Sequence, residues 1–182
     1  MKKENEKSAL PGALSPGTGP DRLDMLQAEW AREMPSLDTG SMGIVGRLIL
    51  LGSALKESAS HALLRHDLMY TDFDIIATLR RAGAPYALTP TALSGAVLLT
   101  SGAMTAALKR LEARDLITRS QAAGDGRVRL VSLTPKGCKL AEDAALTRFH
   151  DADTALASLS QDDRAALEPL LRTLCHLLSP GD

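Results

Sequence analysis

The segment TSGAMTAALKRLE, residues 100–112, carries small, hydroxyl-bearing and basic side chains at helical spacing. With 3.6 residues per turn, one side of this helix collects a core-facing apolar stripe of Met104, Ala107, Leu108 and Leu111. The opposite side lacks the Glu–Lys pairs of a solvated face and collects Ser101, Gly102, Thr105, Ala106 and Lys109. Hydroxyl groups donate hydrogen bonds to anionic oxygens, and an ammonium group neutralises them. This outer face is therefore predicted to lie close to a polar, anionic partner.

Charge is distributed unevenly along the chain, although the formal net charge is −1. Residues 100–139 contain eight Lys or Arg against three Asp or Glu, which gives this segment a charge of +5. Residues 140–182 contain three basic against eight acidic side chains, which gives −5. The opposite signs indicate that one segment faces a polyanion and that the other is kept away from it.

The composition predicts a mainly helical protein that forms one domain or one intimate two-part unit. The 182 residues are 45% apolar but only 3% aromatic, so aliphatic side chains must build the core. No apolar run reaches the roughly 20 residues that cross a bilayer, and prolines interrupt the N-terminus before a secretory signal could form. A cytoplasmic protein without membrane contact is expected. Cys138 and Cys175 lie in no CxxC spacing and are interpreted as buried side chains, with a cysteine-based redox sensor as the alternative.

The first third of the chain is predicted to contain a disordered tail followed by helices. Residues 1–20 are rich in Gly, Pro and Ser and have little to bury. Amphipathic helices are expected next, over residues 21–34, about 40–65 and about 71–82. Thr71 is expected to cap the third of these helices, and Asp72 and Asp74 suit its positive N-terminal end.

Two shorter helices are predicted to follow. In the LTP sequence at residues 88–90, Thr89 caps a helix of about eight residues that the proline begins. Thr100 or Ser101 caps the helix with the polar outer face, which ends near residue 114. These two helices form a helix-turn-helix unit.

A hairpin and two further helices complete the prediction. The β-branched segments LITRS and VRLVSL are joined by QAAGDGR, in which Asp125 and Gly126 are expected to form the turn. A second LTP sequence places Thr134 as the cap of a long helix that ends near residue 159. Ser160 and Asp163 resemble a capping box for the last helix, whose leucine stripe predicts an intersubunit contact.

A helix-turn-helix followed by a two-stranded wing is suited to double-stranded DNA, because a helix fits the major groove and a ribbon reaches the minor groove. Ser101 and Thr105 could donate to phosphates or base edges, and Lys109 could neutralise phosphate. Arg127 at the hairpin tip suits a narrow minor groove, with Asp125 holding its guanidinium. The alternative is a helical dimeric scaffold that binds proteins through the basic wing. Steep weakening of binding by salt would distinguish DNA binding.

No sequence feature indicates an enzyme. The GxSxG, P-loop and GxGxxG sequences do not occur, and His61 and His66 lie five residues apart on different helix faces. No catalytic residue, metal site or cofactor is therefore expected.

The segment LTPTALSGAVLLTSGAMTAALKRLEARDLITRS with GDGRVRLVSLTPKG resembles the winged helix-turn-helix of the multiple antibiotic resistance regulator (MarR) family, including the wing pattern Asp-x-Arg. The fold class implied is mainly α with a small β-hairpin wing, flanked by N- and C-terminal dimerisation helices. The resemblance implies a homodimeric, ligand-responsive repressor that binds a pseudopalindromic operator. The domains it implies are a tail at 1–20, dimerisation and ligand-pocket helices at 21–70, a DNA-binding domain at 71–134 and C-terminal dimerisation helices at 135–182.

The resemblance also implies two sets of site residues. The residues expected at DNA are Thr89, Ser101, Gly102, Thr105, Ala106, Lys109, Arg110, Asp125, Arg127 and Arg129. The N-terminal helix with Trp30 is similar to the urate-responsive, PecS-like branch, in which Trp30, Asp74 and Arg119 would bind a small aromatic or anionic effector that displaces Asp74 from Arg119. Ala107 stands where that branch has an arginine. A monoanionic phenol or aromatic carboxylate is therefore expected to bind better than urate.

Overall fold

A computed structural model describes residues 19–97, 101–122 and 125–178, with the backbone alone at 101, 122 and 125–128. The elements it contains are α1 (Arg22–Glu33), α2 (Gly40–Leu63), a 3₁₀ helix (Leu64–His66), α3 (Tyr70–Arg81), β1 (Ala87–Leu88), α4 (Pro90–Ala96), α5 (Ser101–Ala113), β2 (Ile117–Ala122), β3 (Asp125–Leu133), α6 (Pro135–Ala155) and α7 (Gln161–Leu178). The predicted fold class, mainly α with a small β-structure, is confirmed. The chain divides within α2 into two compact units, one up to Ser53 and one from Ala54. Most of the predicted tail, residues 1–18, lies outside the described residues.

In the first unit, α1 begins with a complete capping box. The Asp21 carboxylate accepts hydrogen bonds from the backbone of Leu23 at 2.7 Å and Asp24 at 3.0 Å, and Asp24 accepts from the Asp21 N–H at 2.8 Å. Arg47 of α2 donates to both carboxylates, at 2.9 Å to Asp21 and 2.6 Å to Asp24. The backbone N–H of Asp24 and the Arg47 guanidinium hold the pKa of Asp21 below its ordinary value. This cluster joins the start of α1 to α2.

Two glycines of α2 let α1 come close. A Cβ atom built on Gly43 would lie 2.5 Å from Oε1 of Gln27, and one on Gly46 would lie 2.5 Å from Cδ1 of Leu23. Side chains of α1 therefore occupy the space that larger residues on α2 would take. No residue of α1 is itself buried, so its other apolar side chains point outward.

The core of the second unit is assembled from α3, α5, α6 and the sheet. Its largest fully buried side chains are Leu63, Leu68, Ile75, Ile76, Leu79, Leu93, Leu111, Leu116, Ile117 and Val131. The aromatic residues Phe73 and Tyr86 pack at its margin and are only partly buried. The core is thus aliphatic, as the low aromatic content predicts.

The β-structure of the described residues is a three-stranded antiparallel sheet in the order β1-β3-β2. The predicted hairpin is confirmed, since Ile117 of β2 lies opposite Leu133 of β3. Strand β1, which the sequence analysis did not predict, pairs with β3 through Ala87 and Ser132. The predicted turn at Asp125 and Gly126 is wrong, because both residues belong to β3 and Asp125 lies opposite Ala122.

Both LTP sequences begin helices as predicted. Thr89 accepts a hydrogen bond from the Ala92 N–H at 3.1 Å, and Thr134 accepts one from the Gly137 N–H at 2.9 Å. The Ser160 capping box of α7 is also confirmed, because Ser160 and Asp163 exchange side-chain-to-backbone bonds at 3.1 and 3.3 Å. Long helix α6 ends at Ala155, four residues before the predicted end.

The predicted cap of α3 is wrong. The helix begins at Tyr70, so that Met69 holds the cap position without a side-chain hydrogen bond and Thr71 is the second helical residue. The Thr71 hydroxyl instead accepts a long hydrogen bond from the Arg110 guanidinium at 3.4 Å. The cap predicted for α5 falls on Thr100, which lies outside the described residues, or on Ser101, of which only the backbone is described.

Among the described residues, none of the helices has the length and apolar character needed to span a membrane. The same part of the chain contains no group of His, Cys, Asp and Glu side chains that could hold a metal ion.

Candidate nucleic-acid interface

Helix α5 has the two faces that its spacing predicts. Met104, Ala107, Leu108 and Leu111 are buried in the core of the second unit. On the opposite side, the exposed residues are Gly102, Thr105, Ala106 and Lys109. A backbone with small side chains and one lysine thus lies at the surface of the unit, held in place by a packed apolar stripe.

The C-terminal end of α5 is anchored to the start of α6. The Lys136 ammonium donates to the Arg114 carbonyl at 2.7 Å, and the Thr134 hydroxyl donates to the Asp115 carbonyl at 2.8 Å. A cation and a hydroxyl thereby bind the two carbonyls that directly follow the C-terminal end of α5. Gly137 allows this approach, because a Cβ atom there would lie 1.9 Å from the Leu116 carbonyl oxygen.

Arg110 of α5 and Arg114, which directly follows the helix, point toward the segment before α3 and its first turn. Arg110 pairs with the Asp72 carboxylate at 2.6 Å. Arg114 donates to the carbonyls of Asp67 and, at 3.4 Å, His66. Arg110 was expected to contact DNA, but its guanidinium is engaged within the second unit.

Strand β3 carries the basic wing residues that were expected at DNA. Arg129 is exposed, whereas the side chains of Asp125 and Arg127 lie outside the description of the structure. The backbone of both residues belongs to β3. Thr89, also expected at DNA, is half-buried and caps α4.

A cavity of about 250 Å³ lies between α4, α5 and the sheet. The polar side chains that line it are Ser94, Thr105, Arg119 and Arg129, and apolar residues that include Met104 and Leu108 form the remainder. The expected pair of Arg119 with Asp74 is not formed, because Arg119 pairs with Glu112 at 3.2 Å. Glu112 lies in the last turn of α5 and Arg119 in the strand that directly follows, so a short connection brings them together.

The other two residues expected at an effector lie in different units. Trp30 is in the first unit, on α1, and is 53% exposed. Asp74 is half-buried in the second unit, where burial raises the pKa of its carboxyl and nearby Arg81 partly opposes that shift. Its carboxylate is therefore less well solvated than a surface aspartate.

The two cysteines have different surroundings. Cys138 is half-buried beside the core, in agreement with a structural role, but Cys175 is exposed. The prediction that both are buried is wrong for Cys175, because α7 has no buried residue in the single chain.

Comparison with known proteins agrees with this geometry. A MarR family model matches residues 66–128, which hold α3, α4, α5 and most of the wing. The HTH-type transcriptional regulator PecS of Dickeya dadantii is 30% identical over 157 residues, which cover 86% of this chain and 94% of PecS. The chain belongs to the MarR family. Because the similarity to PecS extends well beyond the segment matched by the family model, the resemblance to the PecS-like branch is confirmed.

Solved structures of the family have the same fold. Ligand-free wild-type MarR from E. coli has a TM-score of 0.61 at 26% identity, with 71% of this chain and 95% of that chain covered. A MarR family regulator from Streptomyces coelicolor in complex with DNA has a TM-score of 0.68, with 80% and 91% covered. At 18% identity, the second likeness supports the fold alone.

Sequence reasoning missed the buried acidic partner in the second unit. Asp72 was assigned to the positive end of α3, which accounts for an acidic residue in a first helical turn. Its side chain is only 4% exposed and faces Arg110, a residue 38 positions away in sequence. Neither helical spacing nor capping rules contain a signal for that pairing.

Proposed function

We propose that this chain is a homodimeric transcriptional repressor that binds pseudopalindromic operator DNA and releases it when a small aromatic or anionic ligand binds. The observation that carries the DNA-binding part is the exposed polar face of α5, which is backed by a buried apolar stripe and followed by a basic antiparallel wing. An α-helix with small and hydroxyl side chains can enter the major groove closely, and a wing can reach the backbone or minor groove beside it.

The roles of the DNA-contacting residues follow from their chemistry. Thr105 would contact a base edge or phosphate, Lys109 a phosphate and Arg127 the minor groove. The full proposed set is Thr89, Ser101, Gly102, Thr105, Ala106, Lys109, Asp125, Arg127 and Arg129. Base contacts decide sequence preference, whereas phosphate contacts decide the salt dependence of affinity.

Fluorescence anisotropy with DNA from the upstream region of the gene would test the assignment. Lys109→Ala should weaken binding and reduce the slope of log affinity against log salt by about one unit, because one phosphate contact is lost. Arg127→Ala should weaken DNA binding at low salt more than Lys109→Ala does. Arg32→Ala removes an exposed cation from α1 and should leave the slope unchanged. If Lys109→Ala and Arg127→Ala both fold correctly and bind DNA with unchanged affinity, the proposed DNA contacts are wrong. The alternative, a dimeric scaffold that binds proteins through the wing, would then be favoured.

The dimer is supported by apolar side chains that the single chain leaves exposed. Helix α7 has no buried residue, yet Leu170, Leu177 and Leu178 are 64 to 76% exposed, and Phe149 of α6 is 73% exposed. A monomer rarely exposes so much apolar surface, so a second copy is the proposed cover. Leu177→Asp should shift sedimentation from dimer to monomer. A wild-type monomer at micromolar concentration with full operator affinity would contradict the proposal.

Trp30, Asp74 and Arg119 are the residues proposed to respond to an effector, and the following observations, each made within one unit, support their roles. Arg119 lines the 250 Å³ cavity together with Thr105 of the proposed DNA-contacting face. Trp30 exposes its ring, which can stack on an aromatic ligand, and Asp74 is held in a poorly solvated position. A ligand carboxylate would compete with Glu112 for the Arg119 guanidinium and so disturb the end of α5. Ala107 is fully buried and supplies no charge, so this chain offers one positive charge fewer than the urate-responsive pattern.

The fluorescence of Trp30, the only tryptophan, gives a direct test. Urate and a panel of aromatic carboxylates would be titrated into wild type and Arg119→Ala, with Arg32→Ala as the control for loss of a cation. An aromatic acid should quench the fluorescence, release operator DNA and lose both effects in Arg119→Ala. The extent of release cannot exceed the ligand's preference for the DNA-free state. Tight urate binding that persists without Arg119 would refute the assignment.

A further inference from the structure

We propose that Arg110 is a positioning residue for DNA recognition, which fixes the orientation of α5 through the buried Asp72 carboxylate and does not contact phosphate. The inference rests on the proposed DNA-binding function and specifies how the recognition helix is held. It assigns a role to Asp72, which lies on α3 rather than on the proposed DNA-contacting face.

The geometry of the pair is that of a guanidinium edge on a carboxylate. An Nη atom of Arg110 lies 2.6 Å from Oδ1 of Asp72, and its Nε atom lies 3.4 Å from Oδ2. The same Nη atom is 3.4 Å from the Thr71 hydroxyl. The Asp72 side chain is 4% exposed, whereas that of Arg110 is 38% exposed. Arg110 therefore reaches inward from the surface to a carboxylate that water hardly contacts.

Because Asp72 is buried, the ion pair with Arg110 depends on the orientation of the two side chains. A carboxylate removed from water requires a charged or hydrogen-bonding partner, and removal of one partner from a buried pair is more costly than loss of a surface ion pair. The planar fork of arginine meets a carboxylate in a fixed orientation, which a flexible surface lysine does not. A guanidinium neutralised in this way also displaces few counterions from DNA. Arg110 therefore contributes geometry rather than electrostatic affinity.

A second arginine holds the C-terminal end of the helix. Arg114 directly follows α5 and donates to the carbonyls of His66 and Asp67, in the connection between α2 and α3. Successive helical residues are rotated by about 100°, so Thr105 and Lys109 lie on a different side of α5 from Arg110. The inward contacts thus set the rotation at which the outward residues meet the bases.

The experiment compares operator DNA with a scrambled duplex for wild type, Asp72→Asn and Arg110→Lys, each over a range of salt concentrations. Asp72→Asn keeps the shape of the side chain and removes its charge, whereas Arg110→Lys keeps the charge and removes the fork. Lys109→Gln is the matched control for a phosphate contact one position earlier. Circular dichroism, which checks folding, and hydrogen exchange of α5 are recorded for wild type and for each variant.

Positioning predicts that Asp72→Asn and Arg110→Lys each lower operator affinity on the order of tenfold, with scrambled-DNA affinity and salt slope unchanged. Both variants should also accelerate hydrogen exchange in the C-terminal half of α5. Lys109→Gln should instead weaken binding to both duplexes and reduce the slope by about one unit. If Asp72→Asn does not fold, Arg110→Lys decides by the same criteria.

Three results would overturn the inference in distinguishable ways. If Arg110 contacts phosphate, its release in Asp72→Asn maintains or strengthens binding to both duplexes, and Arg110→Lys retains operator preference. If the folded variants keep the wild-type preference for operator DNA and the wild-type hydrogen exchange of α5, the Asp72–Arg110 pair does not position the recognition helix. If wild type itself does not distinguish operator from scrambled DNA, the proposed function fails, and this inference fails with it.

Discussion

Replacement of Gly137 by alanine should destabilise the junction between the recognition helix and α6. The added Cβ atom would lie 1.9 Å from the Leu116 carbonyl oxygen and 3.2 Å from Cδ2 of Leu133. Real Cβ contacts are essentially never shorter than 3.0 Å, so the backbone must move by at least about 1.1 Å. The Leu116 oxygen also accepts the Thr134 N–H at 3.1 Å, a bond that this movement would lengthen or break.

The magnitude follows from three contributions. Overpacking of a tight site costs about 1–3 kcal/mol, and a weakened backbone hydrogen bond adds about 1 kcal/mol. Alanine in a helix recovers about 1 kcal/mol relative to glycine. The free energy of unfolding should therefore fall by about 1–3 kcal/mol, which corresponds to about 2–12 °C in Tm for a chain of this size.

Thermal and urea unfolding at equal protein concentration would measure this change, since the stability of a dimer depends on its concentration. Gly95→Ala is the matched control, because no heavy atom lies within 4 Å of its added Cβ and it should stabilise the chain by up to about 1 kcal/mol. Operator affinity should fall only in Gly137→Ala, whose site anchors the end of α5. Equal stability of the two variants would refute the steric argument.

Three further changes test other parts of the structure. Thr134→Ala removes both a helix cap and a bond to a carbonyl at the end of α5, and should lower the free energy of unfolding by about 2 kcal/mol, with Thr134→Ser restoring most of it. Burial raises the pKa of the Asp74 carboxyl, so the protonated side chain stabilises the fold below the ordinary pKa of 3.8, and this contribution is lost as pH rises. Asp74→Asn should therefore raise Tm at pH 7, and the difference in Tm between variant and wild type should shrink as pH falls toward 3.8. Arg47→Met should accelerate hydrogen exchange in α1 but not beyond residue 54, and an unchanged exchange rate in α1 would contradict its role in joining α1 to α2.

The sequence by itself determined the features that depend on neighbours along the chain. The caps at Thr89 and Thr134 were predictable because a side-chain oxygen reaches an N–H group three residues away in any helix that starts there. The two faces of α5 were predictable because helical periodicity alone separates Ala107, which is buried, from Lys109, which is exposed. The two strands of the wing followed from their β-branched segments, although the turn between them was misplaced.

Only the tertiary structure decided which distant groups meet. Strand β1 has two residues and exists because β3, more than 40 positions later, supplies its hydrogen-bonding partner. Arg119 could have paired with several acidic residues, and the position of β2 beside the end of α5 selected Glu112. Asp72 reads locally as a residue at a helix end, but packing of α3 on α5 buries it and places Arg110 beside it. Capping and periodicity are short-range effects, whereas the partner of a buried charge depends on how segments far apart in sequence pack together.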